Sequence, residues 1–374
     1  MTQIALPERP LTAAPNISRL VPYRHGKSIA EVQRELGITR IIKLASNENS
    51  LGPSPKAQEA VHAFAAKMHH YPDAVSHDLR HALAERMGLS PDSFVFGNGS
   101  DDVIHLLGVT FLEPGDEVIQ GDPSFVRYEA AAILNNAPCH MVPLTRDWVH
   151  DLEAMAKRIN VQTRMVFIAN PNNPTGTLVG RDALTRFLDR MPERVLVVLD
   201  EAYYEYAAHV PDFADSLGYI REGRNVIGLR TFSKAYGLAG LRIGYGVTRP
   251  EIADWLNRTR EPFNVNLLAQ AAAVAALDDE AHVARTLAMN EEGKRAFYAA
   301  FDALGLPYAP TYGNFVWVDV QRDCKAVFEA LLHKGVITRT GDIFGAPTHL
   351  RVTIGTPEEN ALFLDALRTV LHPL

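Results

Sequence analysis

The strongest constraint in this chain is a set of uninterrupted apolar runs, each stopping at a polar loop. Met165-Val166-Phe167-Ile168-Ala169 ends at Asn170, Val195-Leu196-Val197-Val198-Leu199 ends at Asp200, and Val226-Ile227-Gly228-Leu229-Arg230 ends at Thr231. A strand with one wet face alternates apolar and polar residues. These runs do not, so they predict strands buried on both faces. Helical segments such as Ala183 to Met191 separate them. Strands alternating with helices predict an α/β fold with a mostly parallel central sheet flanked by helices. In such a sheet ligands bind beyond the carboxyl ends of the strands, so the loops after these runs become the place to look for chemistry.

The rest of the chain supports this order. Residues 1 to 22 carry four prolines and little periodicity, which predicts an extended arm. Ser54 to Met68 and His77 to Met87 read as helices. Phe94-Val95-Phe96 is a short strand, stopped by Gly97-Asn98-Gly99, with Ser100 placed to cap a helix through Val103 and Leu107. Glu117 to Gln120 is one more strand. Beyond Gly246 the texture turns helical and alanine-rich to about Leu304. A mixed segment follows: strand Phe315 to Val320, helix Lys325 to Lys334, strand Leu350 to Ile354, helix Glu358 to Leu371. The expected division is 1–45 as an arm plus part of a small domain, 46–248 as a large α/β domain, and 249–374 as a smaller α+β domain.

Composition removes several functions. With 37 Lys plus Arg against 44 Asp plus Glu, the net charge of −7 argues against nucleic-acid wrapping. Two cysteines, Cys139 and Cys324, exclude a disulfide framework or a Cys-rich zinc site. No apolar run approaches a membrane span, and the first residues lack a signal-peptide pattern. The expected location is the cytoplasm.

Four strand ends carry candidate chemistry. Gly97-Asn98-Gly99-Ser100-Asp101 joins a flexible turn to a helix N-terminus, which suits a phosphate or simply a tight turn. Asn170 to Gly176 holds Asn173 in a loop stiffened by Pro171 and Pro174. Asp200 ends a buried strand and needs a partner there, either a structural cation or the cationic ring nitrogen of a cofactor. Tyr203 follows it. Thr231-Phe232-Ser233-Lys234 places a lysine at a strand end, with Arg242 shortly after. Such a lysine is usually a surface cation, but partly buried it has a lowered pKa and can form a Schiff base. In this order the parts match an aldehyde cofactor that carries a pyridine nitrogen and a phosphate. Lys234 would hold the aldehyde and Asp200 would keep the ring nitrogen protonated. Ser233, Arg242 and the Ser100/Asp101 backbone would hold the phosphate. Asn173 and Tyr203 would meet the ring hydroxyl.

The segments ANPNNPTG, VVLDEAYYEY and RTFSKAYGLAGLRIGYG resemble the signatures of fold-type I, pyridoxal-phosphate-dependent aminotransferases of class I/II. The likeness runs from LVPYRHGKS through LASNENSLGPSP and HHYPD to LRVTIGTPEEN. Within that group the chain is most similar to the histidinol-phosphate aminotransferases, on YPD before GNGSDD and on the late ITRTGDIFG and LRVTIGT. The resemblance implies pyridoxal 5′-phosphate as cofactor, with Lys234, Asp200 and Tyr203 as the catalytic set. It implies a homodimer in which Tyr71 reaches the cofactor phosphate of the other subunit. Phe125 would stack on the ring; where some relatives have Tyr, Phe supplies stacking alone. Arg351 would grip a carboxylate or phosphate, with Tyr23, Asn47 and Arg339 on the substrate side. Arginine suits this because its planar fork binds both anions bidentately. The chain departs from the frequent NENPYG, reading Asn-Glu-Asn-Ser-Leu-Gly at 47–52, which bears on the substrate-side loop. The implied reaction takes the amino group of L-histidinol phosphate to 2-oxoglutarate.

Three alternatives stay open at this point: an aromatic amino acid aminotransferase, a phospho-amino-acid decarboxylase on the same fold, and a non-enzymatic module that keeps the fold. The histidines at 69, 70, 77 and 81 have no accompanying Glu-x-x-His pattern or cysteine, so no metal site is expected there.

Overall fold

The structure is a computed structural model and describes residues 11–22 and 26–372. At its centre is a seven-stranded sheet. The strands lie side by side in the order Phe94–Gly97, Gly244–Val247, Val226–Thr231, Leu196–Asp200, Thr163–Ala169, Glu117–Asp122, Cys139–Pro143. Gly244–Val247 is antiparallel to both its neighbours, and the other pairings are parallel. The apolar runs behave as their composition predicts. Val166, Ile168, Val197 and Leu199 enter the core on one face, while Met165, Phe167, Leu196 and Val198 enter the core on the other.

A smaller unit carries an antiparallel sheet in the order Arg339–Thr340, His349–Thr353, Phe315–Asp319, Tyr308–Ala309. The long helix Glu280–Leu304 and the last helix Pro357–Leu371 cover it, with Phe297, Phe301 and Phe363 fully buried between them. Ile42–Lys43 pairs in parallel with Val336–Ile337, so the segment before the large sheet is tied to this unit. Two helices after residue 248 pack elsewhere. Ile252 and Leu256 of Pro250–Thr259 join the core around Val103 and Ile104. Ala269, Ala272, Ala273 and Ala276 of Leu267–Leu277 join the core around Leu79 and Leu83. The expected division at 248 therefore falls ahead of two helices that belong by packing to the large sheet. Alanines permit that close helix contact, and a sequence boundary drawn from texture does not register it.

Two local expectations need correction, and three elements were not expected. Ser100 is the first residue of the helix Ser100–Phe111 and makes no side-chain cap; Gly99 is the cap, at φ 85°. That left-handed turn is available to glycine and strained for serine. The described part of the arm is not simply extended. Pro15–Arg19 forms a 3₁₀ turn, started by the fixed φ of Pro15. Asn16, buried, donates to the Ile133 and Leu134 carbonyls at 2.9 and 3.1 Å and docks the turn on this same chain. The strand Cys139–Pro143 and the helices Arg127–Leu134 and Leu152–Arg158 carry no sequence signal strong enough to read. The strand lies at the sheet edge and ends on proline, where one-sided burial weakens the apolar pattern. Among the described residues no helix is long and apolar enough to cross a membrane.

Candidate active site

The carboxyl ends of the central strands open into one cavity of about 140 Å³. Its walls come from the loops singled out above. Gly99, Ser100, Asp101, Phe125, Asn173, Asp200, Tyr203, Ser233, Lys234 and Arg242 all line it.

Lys234 follows the strand Val226–Thr231 by three residues and points its Nζ at the Ser46 carbonyl, 3.2 Å away. Burial, the Arg351 guanidinium and the Arg242 guanidinium push its ammonium down to about 8, against the opposing charges of Glu48 and Asp200. Asp200, the last residue of its strand, is 6% exposed. Its Oδ2 accepts the Tyr128 hydroxyl proton at 2.6 Å and its Oδ1 accepts the Ala202 amide at 3.1 Å. Burial pushes its carboxyl up to about 6, and these two donors oppose the rise.

The opposite end of the cavity is built to approach an anion. The helix Ser100–Phe111 points its N-terminal amides there, and these carry partial positive charge. Glycines make the approach close. A Cβ on Gly99 would lie 2.6 Å from Arg242 Nη2, and one on Gly244 would lie 2.3 Å from the Ser100 amide nitrogen. The Asp101 carboxylate is taken by Arg127 Nε at 2.6 Å, so the backbone of Asp101 remains the group to face a ligand. Ser233 is buried and its amide donates to Thr231 Oγ1 at 3.1 Å.

Two substrate-side candidates, Arg351 and Asn47, lie outside the cavity lining and bond to its residues Asn173 and Tyr203. Arg351, on strand His349–Thr353, donates to Asn173 Oδ1 and to the Ala45 carbonyl, both at 2.6 Å. Its guanidinium lies 5.5 Å from the Phe315 ring centre. Arg339 is the register partner of Arg351 on the neighbouring strand. Asn47 is buried at φ 56°, a left-handed conformation that asparagine tolerates. Its Nδ2 donates to the Tyr203 hydroxyl at 2.8 Å, its amide donates to Thr353 Oγ1 at 2.9 Å, and its carbonyl accepts from Asn314 Nδ2 at 3.0 Å. One asparagine thus joins the large-sheet wall to the small sheet. The Ser50-Leu51 departure lies in a turn where Gly52 N–H bonds the Asn49 carbonyl at 2.9 Å, outside the cavity walls.

Two candidates stand apart. Tyr71 is 82% exposed and stacks on Phe263 with ring centres 4.8 Å apart, away from the cavity of its own chain. Tyr23 lies outside the described residues. The rings of His77 and His81 lie 4.0 Å apart, tilted by 38°, with His81 Nδ1 against the His77 carbonyl at 2.8 Å. Sequence reasoning missed Tyr128. Nothing in the local sequence marks it, since Phe125 lies ahead of the helix Arg127–Leu134 that carries Tyr128. Sequence reasoning also missed Thr353 and Asn314, which carry no local pattern.

Known proteins resemble this chain in sequence and in fold. The family "Aminotransferase class I and II" matches residues 39–367. Histidinol-phosphate aminotransferase of Moorella thermoacetica is 54% identical over 97% of this chain and 95% of its own. Histidinol-phosphate aminotransferase 2 of Carboxydothermus hydrogenoformans is 46% identical over 96% of this chain and 99% of its own. Among solved structures, histidinol-phosphate aminotransferase from Sinorhizobium meliloti, in complex with pyridoxal 5′-phosphate, superposes with a TM-score of 0.88. It is 28% identical, covering 96% of this chain and 97% of that one. By sequence along nearly its whole length, and by fold, the chain belongs to the class I and II aminotransferases and, within them, to the histidinol-phosphate aminotransferase family.

Proposed function

We propose that this chain is a pyridoxal-phosphate-dependent transaminase that moves the amino group of L-histidinol phosphate to 2-oxoglutarate, giving imidazole-acetol phosphate and glutamate in histidine biosynthesis. The observation that carries the substrate assignment is the 54% identity to a histidinol-phosphate aminotransferase over 97% of the chain. The cofactor assignment rests on the cavity. An amine, a buried carboxylate and an anion cradle that a single Cβ would fill converge there, and this donor set fits an aldehyde-bearing pyridine phosphate.

The residues divide the work by position. Bound there, pyridoxal phosphate supplies an aldehyde for the substrate amine and a ring that accepts electrons from the Cα bond. Asp200 meets the ring nitrogen. The Ser100–Asp101 backbone, Ser233 and Arg242 hold the phosphate, with Tyr71 of a second copy of the chain completing the cradle in a homodimer. Phe125 covers one ring face, and Asn173 and Tyr203 face the ring hydroxyl. Lys234 Nζ would anchor the aldehyde at rest and, as the free amine, would hold and move the donor Cα proton. A lysine shifted to about 8 is suited to both roles near neutral pH. Arg351, with Arg339 as its register partner and with Asn47 and Tyr23 as further substrate residues, would bind the donor's phosphate and, in the second half-reaction, a carboxylate of the keto acid. A guanidinium fork accommodates either anion. Both substrates are small charged metabolites, which supports the expectation of a cytoplasmic enzyme.

The direct test mixes the cofactor-loaded protein with L-histidinol phosphate, without keto acid, and follows the visible cofactor band. Conversion to the amine form at low donor concentration supports the assignment. An unchanged band that phenylalanine or tyrosine converts would move the substrate to aromatic amino acids. Carbon dioxide release without glutamate formation on a phospho-amino acid would indicate a decarboxylase.

A further inference from the structure

We propose that Tyr128 is the positioning residue for Asp200, its hydroxyl fixing the carboxylate in the orientation in which it meets the cofactor's ring nitrogen. This inference rests on the functional reading above. Tyr128 sits in the first turn of helix Arg127–Leu134 and is fully buried. Its ring stacks on Phe167 at 4.6 Å with 11° between planes, and meets Phe125 edge-on at 5.6 Å and 80°. The ring is therefore fixed from two sides, and the hydroxyl has one place to go.

That place is Asp200 Oδ2, at 2.6 Å, while the Ala202 amide holds Oδ1 at 3.1 Å. Each carboxylate oxygen has two acceptor positions. One donor on each oxygen fixes the plane of the group and leaves acceptor capacity for a ligand. Phenylalanine would fill the same space among Phe125 and Phe167, so packing alone does not call for a phenol. A buried carboxylate with an unfilled acceptor costs free energy, and that argues for the hydroxyl. Because the same ring touches Phe125, one residue sets both the wall that covers the cofactor and the charge at its far end. Burial favours a protonated Asp200 and the Tyr128 hydroxyl opposes it, which keeps the carboxylate available as an anion.

The test uses the cofactor-free protein, wild type and Tyr128→Phe, titrated with pyridoxal phosphate and with its 1-deaza analogue, in which C–H replaces the ring nitrogen. Tyr128→Phe keeps the ring and both of its stacks, so the fold is retained, and thermal unfolding of the two proteins checks this. Wild type should prefer pyridoxal phosphate, because only that ligand offers Asp200 a ring nitrogen. Tyr128→Phe should cut the preference by about tenfold, the scale of one hydrogen bond to a charged group, with affinity for the deaza analogue little changed. In an Asp200→Asn background, adding Tyr128→Phe should have no further effect on the preference. Equal weakening of both ligands, or an additive loss in the double variant, overturns the proposal, since a purely structural role predicts both. If wild type shows no preference, the assignment of Asp200 to the ring nitrogen fails instead, and the role of Tyr128 falls with it.

Discussion

Lys234 gets its reactivity from its surroundings. An ordinary lysine near pH 8 is well under about 1% neutral. Here burial and the neighbouring Arg351 and Arg242 guanidinium groups disfavour the ammonium and bring it down to about 8, so roughly half is the free amine at that pH. A lowered pKa means the nucleophile gains population as pH rises through 8. We expect borohydride trapping of pyridoxal phosphate on the cofactor-free protein to show that midpoint, and Arg351→Gln, which removes one of the two cations, to move it upward. A midpoint unchanged in the variant would contradict the electrostatic cause. Lys234→Ala should lower turnover by about 10⁴-fold or more, because one amine serves both as covalent anchor and as base. A variant with ordinary turnover in a coupled glutamate assay would remove Lys234 from the mechanism. At this scale the sequence showed Lys234, Asp200 and Asn173 because each directly follows a legible strand. Tyr128 stayed hidden because its partner Asp200 is distant along the chain and the helix that carries it, Arg127–Leu134, has no motif.

Individual elements matter chiefly through how closely they let the chain approach itself. The strand Gly244–Val247 runs antiparallel beside the turn that opens helix Ser100–Phe111, and Gly97 pairs with Gly244 in register. A methyl at Gly244 would lie 2.3 Å from the Ser100 amide nitrogen and 2.7 Å from the Gly99 carbonyl carbon, so the helix start would have to move. Gly244→Ala should therefore weaken binding of pyridoxal phosphate by about tenfold or more, measured by titration, while a cofactor analogue without the phosphate loses little. Equal losses for both would point to general disruption of the sheet. The last helix is a contrasting case. Thr356 and Glu359 form a capping box at its start, and the helix packs against the small unit that carries Arg351. Thr356→Ala should cost about 1 kcal/mol in denaturant unfolding with kcat/KM of the folded enzyme unchanged. Central strands and long helices were legible from periodicity. The edge strand Cys139–Pro143 and the cap at Gly99 were not, since the first lacks two-sided burial and the second depends on one backbone angle.

As a whole molecule the chain carries a large and a small sheet, and side chains from the small sheet bond to the walls of the cavity at the large one. From the small sheet, Arg351 donates to Asn173 and Thr353 accepts the Asn47 amide, while the Asn47 side chain donates to the Tyr203 hydroxyl on the large-sheet side. Tyr71 stands on the surface, and its proposed role requires a second copy. Mixing Lys234→Ala chains with Tyr71→Phe chains should restore activity above that of either variant alone. A hybrid dimer holds one site with Lys234 from one subunit and Tyr71 from the other. No gain on mixing, with hybrid formation verified by mass, would place Tyr71 outside the site. The sequence by itself determined the parallel sheet, the order of the strand-end residues and the family, because buried strands write continuous apolar runs and chemistry follows at their ends. Tertiary structure alone decided that helices 250–277 pack with the large sheet. It also decided that Tyr128 meets Asp200, and that Asn47 joins the two units. These are contacts between residues far apart along the chain, and no local pattern of residue types encodes which distant partner a side chain will meet.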